Sequence, residues 1–95
     1  MSAGRKGEFA RSKAGHDKNE IFIIYNIEEE YVFLVDGKSR TTDRPKKKKW
    51  KHIQVINETD DELQTKIEAG KEMLNEDIKR AIKKYRNRTE AKEQV

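Results

Sequence analysis

The sequence predicts a mainly β fold: a small five-stranded barrel followed by two short C-terminal helices. Three observations carry this. Residues 21–25 and 31–35 are unbroken β-branched and aromatic runs, an Asp-Gly pair follows the second, and beyond residue 59 the apolar residues adopt helical spacing.

Residues 9–14 form the first expected strand, with Arg11 and Lys13 on one face because alternate residues share a side. Residues 15–19 are a polar turn, and residues 21–25 are a strand buried over most of its surface. After a turn at 26–29, residues 31–35 make a second buried strand. Asp36-Gly37 then reads as a hairpin of type I′, whose central residues need positive φ, with residues 38–42 as a polar edge partner. Pro45 has no amide hydrogen for a ladder, so it interrupts the sheet before the lysines that follow. Residues 52–56 alternate polar and apolar and close the count at five. Short strands in such number favour a barrel, which removes exposed edges.

Thr59, Asp60, Asp61 and Glu62 have the form of a capping box, with acidic residues on the positive end of a helix anchored by Leu63 and Ile67. Gly70 is a stop. Asn75 caps a second helix, in which Ile78, Ala81, Ile82 and Tyr85 fall at i, i+3, i+4 and i+7 as one apolar stripe expected to pack on the barrel. The domain organisation that follows is a flexible N-terminus at 1–7, the barrel at 8–57, a helical extension at 58–88 and a flexible tail at 89–95.

Charge is segregated along the chain. Residues 1–56 carry 13 basic and 8 acidic side chains, residues 57–77 carry 2 and 8, and residues 78–95 carry 7 and 2, for a net charge of +4. The densest run, Arg44-Pro45-Lys46-Lys47-Lys48-Lys49-Trp50-Lys51-His52, places six permanent positive charges in nine residues. Such a run is most stable against an anion. Lysine neutralises phosphate without reading sequence. Two roles stay open for Trp50: capping the barrel core, or stacking on an unpaired base.

Several chemistries are not expected. The chain has no cysteine, so disulfides, thiolate catalysis and Cys-based zinc sites are excluded. Its two histidines, His16 and His52, are far apart, and neither a metal site nor a cofactor is expected. No nucleophile–base set or phosphate loop is present, so no enzyme activity is expected. The longest apolar run has five residues, too short to span a bilayer, and residues 1–6 lack the apolar run of a signal peptide. A cytoplasmic, monomeric protein without a membrane anchor is the expectation.

Ser12-Lys13-Ala14-Gly15-His16-Asp17-Lys18, followed by a β-branched strand, resembles the KOW motif of ribosomal and transcription proteins. The wider pattern adds Phe33-Leu34-Val35-Asp36-Gly37-Lys38, the proline-lysine run and a short acidic helix. Over residues 7–85 it is similar to the small bacterial KOW-domain RNA-binding proteins, themselves similar to KOW-bearing large-subunit ribosomal proteins of archaea and eukaryotes. The resemblance implies an SH3-like barrel that binds RNA, structured or ribosomal, in translation or ribosome assembly. It also implies that the loop holding Gly15, His16, Asp17 and Lys18 approaches the RNA. This chain departs from the pattern at Asn19, where the family has Gly, and at His16, where it has Arg. Asn is the residue after Gly that best tolerates a left-handed backbone.

The expected RNA-binding residues are therefore Arg11, Lys13, Gly15, His16, Asp17, Lys18, Lys38, Arg40, Lys46, Lys47, Lys48, Lys49, Trp50 and Lys51. The competing reading is a protein-interaction barrel that docks on a ribosomal or transcription protein, with binding that depends little on salt.

Overall fold

The computed structural model describes residues 4–93, with side chains through residue 89. The strands are β1 (Glu8–Ser12), β2 (Ile21–Ile27), β3 (Tyr31–Val35), β4 (Lys46–Lys49) and β5 (Ile53–Thr59), with a 3₁₀ turn at Trp50–His52 between the last two. Helices α1 (Asp61–Glu68) and α2 (Asn75–Glu93) follow. All pairings are antiparallel and the order is β4-β3-β2-β1-β5, so the last strand returns to pair with the first. The sheet stays open between β4 and β5, an arrangement compatible with a small SH3-like barrel.

Both faces of the sheet are covered, which is why β2 is apolar at every position from Ile21 to Ile24. Register places Ile56, Phe9, Ile23 and Val35 in one row across four strands. That row meets Leu63 of α1, Met73, and Ile78, Ala81, Ile82 and Tyr85 of α2 in one buried cluster. Phe9 and Tyr85 stack at 4.7 Å between centroids. Burying each large side chain of this stripe stabilises the fold by about 1.5–3 kcal/mol, which fixes α2 to the barrel. The opposite face holds Ala10, Phe22, Ile24, Val32, Leu34 and Ile53.

The fourth strand is not the one expected. Residues 38–42 form no strand; the lysine run itself does, pairing Leu34 with Lys46, Phe33 with Lys47, Val32 with Lys48 and Tyr31 with Lys49. The backbone of β3 offers an unpaired edge, and four lysines fill it while their charges block further pairing. Pro45 marks the start of this edge strand, a position where a missing amide hydrogen is harmless. The basic run is thus an ordered strand, not a connection between strands.

Asp36-Gly37 does not make the two-residue hairpin. Asp36 Oδ1 accepts from the amides of Lys38 and Arg40, both at 2.8 Å, and the Asp36 amide donates to the Arg40 carbonyl. The side chain thereby closes a local turn in place of a ladder. Only Gly37 of the pair has positive φ. Two helix starts also shift. Asp60, not Thr59, caps α1 by accepting from the Leu63 amide. At α2 the reciprocal bond is Asp77 Oδ2 accepting from the Leu74 amide, while Asn75 Oδ1 accepts from the Thr42 amide and ties the β3–β4 loop to the helix.

The expected flexible ends at 1–7 and 89–95 fall partly on residues 1–3 and 94–95, which lie outside the described residues. Within the described part, the Gly7 amide donates to the Ile24 carbonyl and α2 continues to Glu93. Among the described residues, no helix is long and apolar enough to cross a membrane.

Candidate nucleic-acid interface

The loop between β1 and β2 is built by its own residues. Gly15 and Asn19 both take positive φ, +87° and +74°, so Asn19 occupies a left-handed position that favours glycine and that Asn tolerates next best. The Asn19 amide donates to the Ser12 carbonyl and the Glu20 amide to the Asp17 carbonyl, which returns the chain into β2.

Lys48 locks this loop to the edge strand. Its ammonium donates to Ser12 Oγ at 2.7 Å, the Ala14 carbonyl at 2.8 Å and Asp17 Oδ1 at 2.6 Å, using all three of its donors. The Ser12 hydroxyl in turn meets Asp17 Oδ1 at 2.8 Å, and Lys46 reaches Asp17 Oδ2 at 2.9 Å. Burial pushes the Asp17 carboxyl up. The hydrogen bonds from Lys48, Lys46 and Ser12 outweigh it and hold the carboxyl far below the usual carboxylate range. Asp17 and Lys48 are therefore spent on each other, while Lys46 shares the same carboxylate and leaves the trio with one net positive charge.

Three adjacent clefts meet at Glu20. The largest, about 790 Å³, runs between the β3–β4 loop at Asp36, Lys38 and Ser39 and the α2 side chains Lys79, Arg80, Lys83 and Arg86. The second, about 290 Å³, is lined by Arg11, Lys18, Asn19 and Arg86. The third, about 280 Å³, is lined by His16, Asp17, Arg40 and Lys46. The acids here are engaged: Glu20 faces Arg86 at 3.4 Å, and Asp36 holds its own loop. Among the described residues, Lys38, Lys79 and Lys83 have no acidic side chain within 4 Å.

The helix sorts its cations. Arg80 pairs with Glu62 at 3.1 Å and Lys84 with Asp60 at 2.8 Å, so the acidic start of α1 neutralises one flank of α2. Lys79, Lys83 and Arg86 stand at i, i+4 and i+7, a second stripe displaced by one residue from the apolar one, and face the cleft. These three are absent from the expected set of RNA-binding residues. The one-residue offset from the apolar stripe is the sequence signal that finds them.

The fourteen expected residues do not form one surface. Arg11, His16, Asp17, Lys18, Lys38, Arg40 and Lys46 border the joined clefts. Gly15 and Lys13 lie at the loop base, where the Lys13 amide donates to the His52 carbonyl. Lys47 and Lys49 point from β4 to the opposite side from Lys46 and Lys48. Trp50 sits in the 3₁₀ turn, not in strand alternation, and packs against the inner apolar cluster. Its Nε1 donates to the Glu28 carbonyl at 3.0 Å, so the indole closes the barrel beside the acidic turn at 28–30. Lys51, exposed, follows it there. Among the described residues, no group of three or more acidic, His or Cys side chains gathers as a metal site would require.

No protein-family model matches the chain, and no curated protein is significantly similar to it.

Proposed function

We propose that this protein is a non-enzymatic RNA-binding module that grips the phosphate backbone at the end of the barrel where the β1–β2 loop, the β3–β4 loop and α2 meet. The observation that carries this reading is the set of lysines Lys38, Lys79 and Lys83, without an acidic side chain within 4 Å among the described residues, lining one cleft beside the loop of Gly15, His16 and Lys18. Cations without internal partners are the ones free to replace phosphate counterions, and the release of those counterions drives binding. The resemblance of that loop to KOW motifs supports structured or ribosomal RNA as the target, in translation or ribosome assembly in the cytoplasm. Lys48 serves the fold of the loop rather than the RNA, because its three donors are taken by Ser12, Ala14 and Asp17, whereas Lys46 shares that one carboxylate and still borders a cleft.

Crosslinking in cells with sequencing of attached RNA, alongside gradient fractionation, tests the reading. Crosslinks concentrated on one ribosomal RNA region with co-sedimentation are expected, and they should vanish when Lys38, Lys79 and Lys83 are replaced with Gln. RNA at background with the protein in light fractions overturns the reading and favours a barrel that docks on protein.

A further inference from the structure

The outer face of β3 and β4 carries an aromatic pair that the fold does not use. Strand alternation sends Val32 and Leu34 to the inner cluster and Val35 to the cluster under the helices. Tyr31 and Phe33 point to the helix side too, yet they belong to neither cluster and remain partly exposed. Opposite them in register stand Lys49 and Lys47. The Lys47 ammonium lies 4.3 Å from the Tyr31 ring centre and 6.0 Å from that of Phe33. Among the described residues, neither lysine has an acidic side chain within 4 Å. Protection of an edge strand accounts for the lysines, but not for two rings left outside the core.

We infer that Tyr31 and Phe33, flanked by Lys47 and Lys49, form a stacking platform for unpaired RNA bases. Aromatic faces stack on any base, and lysines beside them take the phosphates. In the free protein the Lys47 ammonium covers the rings as a cation over a π face. An incoming base takes that place, and the ammonium moves to the phosphate of the same nucleotide. The rings are two residues apart on one strand, about 6.8 Å, close to the step of an extended nucleotide chain. A strand entering here meets an acidic limit on one side, since the turn at Glu28, Glu29 and Glu30 immediately precedes Tyr31. On the other side the same face continues to Val35, which α2 covers, and α2 lines the lysine cleft. The platform therefore favours RNA in which an unpaired strand leaves the element held at that cleft. This inference rests on the RNA-binding reading and adds the class of RNA, single-stranded, that this face selects.

The test is fluorescence anisotropy of the full chain with two labelled probes, a short oligouridylate and a blunt RNA duplex of equal charge. The Tyr31→Leu/Phe33→Leu variant keeps apolar bulk and removes the π faces, and its thermal melt checks the fold. Expected is a loss of about tenfold or more in oligouridylate affinity, with duplex affinity and salt dependence unchanged. Equal oligouridylate affinity in the two proteins overturns the platform; if Lys79→Gln/Lys83→Gln still weakens duplex binding, the RNA reading survives it. Wild-type protein that binds neither probe overturns both. Proton NMR of the wild type supplies a readout independent of variants: upfield shifts of the Tyr31 and Phe33 ring signals on adding oligouridylate support stacking, and unmoved ring signals overturn it.

Discussion

Lys48 of the edge strand closes on Asp17 of the β1–β2 loop, Nζ to Oδ1 at 2.6 Å, with both side chains nearly out of solvent at 10% and 13% exposure. One ammonium thus fixes the β1–β2 loop, and it does so from the lysine strand β4. Within a run of four lysines, alternation separates Lys46 and Lys48, which hold the loop, from Lys47 and Lys49, which do not.

Replacing Asp17 with Asn is expected to lower stability at neutral pH by about 1–3 kcal/mol, because Lys48 keeps its neutral acceptors but is deprived of its counter-charge. The loss must depend on pH in one direction. The folded-state pKa of Asp17 lies below its ordinary 3.8, so its contribution is fully present above that value and disappears as pH falls through the folded-state value. Urea titrations from neutral pH to pH about 2 should show the gap between wild type and Asp17→Asn closing only below pH about 4. A gap that is constant across that range contradicts the ion pair.

The buried strands and the α2 stripe are legible because composition and spacing agree with the packing: Ile21 to Ile24 and Tyr31 to Val35 have the composition of strands, and Ile78, Ile82 and Tyr85 have the spacing of a packed helix face. Strand β4 is not legible from its residues, since four lysines have no intrinsic strand preference. It is a strand because the β3 edge needs a partner, a tertiary cause that only Pro45 announces. Asp36 misleads for a related reason: an Asp side chain that accepts two amides replaces the hairpin that Asp-Gly otherwise signals. In the site, the loop and Lys38 are visible from motif and charge, whereas Lys79, Lys83 and Arg86 emerge only when α2 is docked. Tyr31 and Phe33 read as core by composition, yet they belong to neither buried cluster and stay half-buried.

Gly37 and Gly70 make a matched pair for measuring the approach of the β3–β4 loop to α2. Both hold positive φ, +80° and +75°. A Cβ at Gly37 would stand 2.6 Å from the Asn75 carbonyl oxygen and 2.7 Å from Lys79 Cγ, whereas one at Gly70 meets nothing within 4 Å. Gly70→Ala should cost about 1 kcal/mol, the left-handed penalty alone. Gly37→Ala should cost at least about 2 kcal/mol, because the backbone carbonyl cannot step aside as a side chain would. Thermal melts of the two variants decide this, and equal costs would contradict the close approach.

Docking of α2 depends on the stack between Phe9 and Tyr85 and on Ile82 in the same cluster. Tyr85→Ala should destabilise the protein by about 3 kcal/mol through the cavity it leaves. Ile82→Asp buries a charge without a partner and should release the helix from the sheet. Limited proteolysis is the direct check: cleavage within residues 75–88 should accelerate sharply in Ile82→Asp while the barrel fragment persists. Protection equal to wild type would mean that the stripe does not hold the helix.

The two flanks of α2 give an internal control for charge. Lys84 and Arg88, outside the cleft, are matched to Asp60 and Glu58, and the hydrogen bond from Lys84 to Asp60 raises the Lys84 pKa above its ordinary value. Lys79 and Lys83 face the cleft, and among the described residues no acidic side chain lies within 4 Å of either. Both pairs carry the same net charge, so a purely long-range attraction to RNA would fall equally when either is replaced by Gln. A local grip on phosphate predicts otherwise. Lys79→Gln/Lys83→Gln should leave the melting temperature close to wild type and weaken duplex binding, with the slope of log affinity against log salt reduced by about one for each phosphate that is no longer neutralised. Lys84→Gln/Arg88→Gln should lower the melting temperature slightly, by removing the pairs with Asp60 and Glu58, and leave that slope unchanged. Anisotropy titrations at several salt concentrations separate the two. If both variants reduce the slope alike, the cleft is one part of a diffuse positive field and not a site.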